Sequence, residues 1–94
     1  MLFVVHALDK DGAINRRLEH YEAHKSYLGT ATIKTLVSGP LLADDGKTMV
    51  GSLFIFEAEC KADVIAFNRA DPFAKAHVWK RVEIHPFHKR VDNR

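Results

Sequence analysis

The sequence predicts an α+β fold with the element order β-α-β-β-α-β in one domain over residues 1–94, and three observations carry that expectation. Short apolar runs rich in β-branched and aromatic residues open the chain and recur around Leu53-Phe54-Ile55-Phe56. A helical period takes over at Ala13 and again near Cys60. Turn chemistry at Ala43-Asp44-Asp45-Gly46-Lys47 separates two strand candidates and reads as a hairpin. In a small domain this order means a ferredoxin-like, four-stranded antiparallel sheet with two helices on one face.

Leu2 to Leu8 is apolar on both alternating faces, as a central strand covered on two sides would be, and Asp9 to Gly12 breaks it. Ile14, Leu18, Tyr21, Lys25 and Leu28 then recur at steps of four and three, with Arg16, Arg17, Glu19 and Glu22 mostly off that seam. One amphipathic helix from Ala13 to Gly29 follows. Ile33 to Val37 is the second strand, closed by Ser38-Gly39-Pro40 because Pro40 cannot donate to a ladder, with Leu41 and Leu42 as a candidate edge continuation. Met49 to Glu57 is the third. Cys60 to Ala70 reads as a short helix with Val64 and Phe67 inward and Asp63 as a weak cap. Asp71 suits an N-cap and Pro72 a first helical position, so a further turn is expected over Pro72 to His77. Trp79 to Phe87 alternates, Val82 and Ile84 against Arg81, Glu83 and His85, with Pro86 at an edge. Residues 88–94 are polar and aperiodic and are expected to fray.

Two helices cover one face of a sheet, yet the first and third strands are apolar on both. A homodimer packed sheet against sheet answers that mismatch. The net charge of +2, from 14 Lys+Arg against 12 Asp+Glu, is too mild to imply nucleic acid or an anionic membrane. The single Cys60 cannot form an internal disulfide, and Lys61 is its one basic neighbour, so it is read as inert in a cytoplasmic protein. Met1-Leu2-Phe3-Val4-Val5 has no basic region before it and meets Asp9-Lys10-Asp11 too soon for a signal peptide or a membrane span.

His24 sits about 60° from the centre of the helix seam, where an imidazole can serve as general acid or base or simply cap an interface. Asp71 before Pro72 is explained by capping alone, and Ser38-Gly39-Pro40 offers a hydroxyl at a strand end that a turn would equally require. His20 and His24 stand at i and i+4, a metal-chelating spacing if a third ligand such as Asp71 is near, although Tyr21 occupies the place of the HExxH glutamate. His85-Pro86-Phe87-His88 reads as an exposed strand end. No G-x-S-x-G, P-loop or Rossmann glycine pattern occurs.

Taken in order, the opening strand, Ala23-His24-Lys25-Ser26-Tyr27-Leu28, Ser38-Gly39-Pro40-Leu41, Gly51-Ser52-Leu53, Ala70-Asp71-Pro72-Phe73 and His85-Pro86-Phe87 resemble the YciI-like (YCII-related) family of the dimeric α+β barrel group over nearly the whole chain. The resemblance implies a ferredoxin-like homodimer and pairs His24 with Asp71 as an acid/base dyad beside a pocket, with no cofactor. Its members and relatives include a dehydrochlorinase acting on a chlorinated hydroxyquinol and lactone isomerases. The implied chemistry is elimination or isomerisation by proton transfer on a small cyclic or anionic substrate. Many members carry Arg three residues before the helix histidine, where this chain has Tyr21; Arg17 or Lys25 is then left to meet an anion, and Ser38 is a further pocket residue. Two other readings stand beside this one: a ligand-binding or accessory protein without turnover, and a divalent metal held by His20, His24 and Asp71.

Overall fold

The computed structural model describes residues 1–30 and 32–94. Strand β1 (Leu2–Asp9) leads into two short helices, α1 (Ile14–Glu19) and α2 (Tyr21–Gly29), then the hairpin β2 (Lys34–Leu42) and β3 (Met49–Glu57). Helices α3 (Lys61–Arg69) and α4 (Pro72–Lys75) and strand β4 (Trp79–Phe87) complete the chain. The sheet runs β2-β3-β1-β4 with every pair antiparallel, the ferredoxin-like arrangement that the element order implied.

The register sorts the side chains. Phe3 lies opposite Phe56, Val5 opposite Phe54 and Ala7 opposite Ser52. These residues face the helices and are buried, with Val64, Phe73, Val78 and Trp79 closing the core above them. Truncating one of the buried phenylalanines to alanine would cost about 3–5 kcal/mol. Leu2, Val4, Leu53 and Ile55 alternate onto the opposite face and are half-buried. At Gly51 a Cβ would collide with the Ala7 carbonyl oxygen, so glycine lets β3 approach β1 where the two strands meet near the site.

Several boundaries differ from the sequence reading. The single helix expected from Ala13 to Gly29 is interrupted at His20, which sits at φ −102°, ψ 6° between α1 and α2. The bonds from His20 N–H to the Arg16 carbonyl (3.2 Å) and from His24 N–H to the His20 carbonyl (3.0 Å) persist, so α2 follows α1 without a loop. Its inward stripe is also different. Ala13, Arg17 and His24 are buried, whereas Leu18 is 57% and Tyr21 47% exposed. Pro40 does not close β2, which begins at Lys34 and runs through Ser38-Gly39-Pro40 to Leu42. β2 is an edge strand, where a missing N–H is tolerated. Asp63 makes no cap bond, and Cys60 occupies the N-cap of α3.

Candidate active site

The site lies where α2, α4, β2 and β3 converge. Asp71 is the N-cap of α4 and accepts the Phe73 N–H on Oδ1 at 2.8 Å, with Pro72 at the first helical position. The same carboxylate faces His24, whose Nδ1 lies 2.9 Å from both Oδ1 and Oδ2. Capping and pairing with histidine are therefore one arrangement. An ionised carboxylate only accepts, so it favours the tautomer with the proton on Nδ1, and Nε2 on the other edge of the ring has no hydrogen-bond partner among the described residues. Asp71 is 2% and His24 8% exposed, which keeps the pair dry and its geometry fixed.

Phe73 stacks on the imidazole, centroids 4.0 Å apart and planes 10° from parallel, and Phe54 meets it tilted at 5.8 Å. His24 thus has a carboxylate behind it, an aromatic ring against one face, and a cavity of about 200 Å³ in front. Arg17, Tyr21, Lys25, Ser38, Ser52, Phe54 and Phe73 line that cavity with it. Three turns of sequence pattern meet here: the inward stripe of α1–α2, the polar interruption at Ser52 in an otherwise apolar face of β3, and the Asp71-Pro72 helix start.

The structure brings His24, Ser38, Tyr21 and Arg17 to one cavity, and sets Asp71 behind the wall, touching His24 but outside the lining. Arg17 is 3% exposed and committed within the protein: Nε and Nη2 meet Asp9 Oδ2 and Oδ1 at 2.8 and 2.9 Å, and Nη2 also donates to Ser52 Oγ at 2.7 Å. Of the two cations considered for an anion contact, Lys25 is the one at the cavity without an ion-pair partner among the described residues. The metal set His20, His24 and Asp71 is not assembled: among the described residues no three His, Cys, Asp or Glu side chains converge, and His24 Nδ1 is taken by Asp71. Tyr27, one turn beyond His24, donates to the Phe67 carbonyl at 2.7 Å; burial and the nearby Asp71 charge push its phenol pKa up, which keeps it a donor.

Sequence reasoning missed Asp9, Ser52 and Phe54. Asp9 is the last residue of β1 and not part of the break that follows it. Ser52 carried a usable signal, since it alternates with Phe54 and Phe56 and is a hydroxyl at a position where the pattern wants an apolar side chain.

The YCII-related domain matches residues 1–88. The chain belongs to the YCII-related family. Protein YciI of Escherichia coli O6:H1 and of Shigella flexneri are each 32% identical to it over 96 aligned positions, covering 95% of this chain and 98% of the relative. Among solved structures, a 5-chloro-2-hydroxyhydroquinone dehydrochlorinase from Burkholderia phenoliruptrix AC1100, in complex with 2,5-dihydroxybenzoquinone, superposes with a TM-score of 0.81 and 34% identity over 94% of both chains. An uncharacterized NIPSNAP domain protein from Burkholderia xenovorans shares the fold alone, at a TM-score of 0.51 and 16% identity over 99% of this chain and 100% of that one. This YCII-related protein is therefore of the same architecture as an enzyme that binds a small oxygenated ring.

Proposed function

We propose that this protein is a small-molecule enzyme that moves a proton without a cofactor, in an elimination or isomerisation, with His24 as the group that moves it. The observation that carries the reading is the buried His24–Asp71 contact beside the cavity. In elimination from a chlorinated hydroquinol the ring first takes its keto form, with hydrogen on the chlorine-bearing carbon; Nε2 then takes the proton of the conjugated hydroxyl, the O–H pair becomes the carbonyl, the enol double bond shifts, and chloride departs with its own pair. In isomerisation His24 Nε2 takes the proton from a carbon activated by a neighbouring carbonyl or enol, and the proton returns to another carbon. Asp71 never touches substrate; it orients the imidazole and stabilises the imidazolium that forms.

The cavity is smaller than the roughly 300–1,000 Å³ usual for drug-sized ligands, which favours one substituted ring. Phe54 offers flat apolar surface, Ser38 a hydroxyl, and Lys25 a charge for an ionised oxygen, with Tyr21 beside them in the lining. Lyase or isomerase chemistry, a homodimer formed through the half-buried apolar face of Leu2, Val4, Leu53 and Ile55, and a cytoplasmic setting are parts of this reading. The test is turnover of 5-chloro-2-hydroxyhydroquinone, followed by chloride release, beside a panel of small lactones. Release by wild type and its loss in His24→Gln supports the proposal. Ligand binding that His24→Gln leaves intact, with no turnover of any compound, would instead mark a binding protein. Sedimentation at micromolar concentration should show a dimer; a monomer would refute the sheet-packing part alone.

A further inference from the structure

Asp9, Ser52 and Phe73 have no part in the proton transfer just described, yet they build the wall behind it. The guanidinium of Arg17, held by Asp9 and Ser52 through three hydrogen bonds, lies over the Phe73 ring with its carbon 4.7 Å from the centroid. His24 stacks on that same ring at 4.0 Å. A near-parallel imidazole at this distance fills one face of a phenyl ring, so the guanidinium takes the other. Arg17 and His24 are seven residues apart on the inward stripe of α1–α2, which sets them on one side of the helix pair with the ring between them.

We propose that Asp9 and Ser52 are positioning residues for His24: they fix Arg17, Arg17 clamps Phe73 against the imidazole, and the clamp keeps Nε2 turned into the cavity. For its consequence in turnover this rests on the proton-transfer reading; for its geometry it does not. The hydrogen bond to Asp71 engages one ring atom, Nδ1, and a single pivot leaves the imidazole free to tilt. A ring held face to face removes that freedom. The Asp9 carboxylate also cancels the Arg17 charge, which would otherwise oppose the imidazolium formed when His24 takes a proton. Guanidinium suits the task because it is planar, stacks on aromatic faces and accepts fork-like pairing with a carboxylate, none of which an ammonium supplies.

The experiment is NMR of the His24 ring protons in the free protein, for wild type, Asp9→Asn, Ser52→Ala and Arg17→Lys. Wild type should show the upfield ring-current shift of an imidazole on a phenyl face. Arg17→Lys and Asp9→Asn should lose most of that shift and Ser52→Ala part of it. Ser52→Ala deletes only one of the three bonds and decides the matter if Asp9→Asn fails to fold. Unchanged His24 resonances in the folded variants would overturn the proposal. Where turnover is found, Arg17→Lys should lower kcat tenfold or more with KM little changed, since Lys25 meets the substrate; a rise in KM at constant kcat would contradict it. A wild-type protein that turns over nothing would overturn the proton-transfer reading and leave the NMR result to judge the clamp.

Discussion

Two buried side-chain pairs, Arg17–Asp9 and His24–Asp71, stand on the same stripe of α1–α2, both against Phe73, and they differ in what they leave unspent. Arg17 spends Nε and Nη2 on Asp9 and Ser52 inside the wall, and arginine keeps its charge at any pH a protein survives. His24–Asp71 uses one nitrogen of two, and imidazole is the side chain whose ordinary charge change falls near neutrality. The first pair is structure with a fixed charge. The second leaves Nε2 without a hydrogen-bond partner among the described residues, on a ring that lines the cavity. Burial and pairing alone therefore do not mark a reactive group; an unspent, titratable atom does.

Mutations should separate the two. His24→Gln is expected to lower kcat by about 10²–10⁴-fold, the usual worth of a general acid or base, while the Tm shifts little. Steady-state kinetics and a thermal melt on the same sample check this. Arg17→Ala should do the reverse to stability, leaving Asp9 charged and unpaired at a cost of about 3–5 kcal/mol in chemical denaturation. If both variants lost stability equally and neither changed turnover, the contrast would collapse.

The fold was legible because its signals are local and apolar. Alternation at Phe3-Val4-Val5 and the β3 run set the sheet, and Asp71-Pro72 marked the start of α4. The site was legible only in part, and the seam of α1–α2 shows why. Reading apolar residues as inward placed Leu18 and Tyr21 in the core, whereas Arg17 and His24 are buried because Asp9, Ser52 and Asp71 satisfy them from other elements. Those partners lie 8, 35 and 47 residues away in sequence, beyond the reach of any periodicity. The family resemblance supplied His24 with Asp71, but nothing in it or in the spacing pointed to Asp9.

Asp71→Ala removes the cap as well as the histidine partner, and should destabilise by about 0.5–2 kcal/mol while depressing kcat; Asp71→Asn should recover most of the stability and little of the rate. Smallest is Asp45, an exposed carboxylate in the β2–β3 turn. Bonds from the Thr48 hydroxyl and from the Thr48 and Lys47 N–H groups hold its pKa down to about 2. A folded pKa below the ordinary 3.8 means its contribution is fully present above that value and fades as pH falls through about 2. Following its carboxyl carbon by NMR from pH 5 downward should show the late titration, and Thr48→Val should move the midpoint up.

The proposed proton transfer requires His24 to carry its proton on Nδ1 toward Asp71 and to offer Nε2 to a ligand. Long-range ¹H–¹⁵N NMR of the neutral ring reads this directly, with and without 2,5-dihydroxybenzoquinone as the probe. The expected result is a protonated Nδ1, an unprotonated Nε2, and a ligand-induced change concentrated at Nε2. A proton on Nε2, or an Nε2 resonance indifferent to saturating probe while other cavity residues respond, would contradict the account.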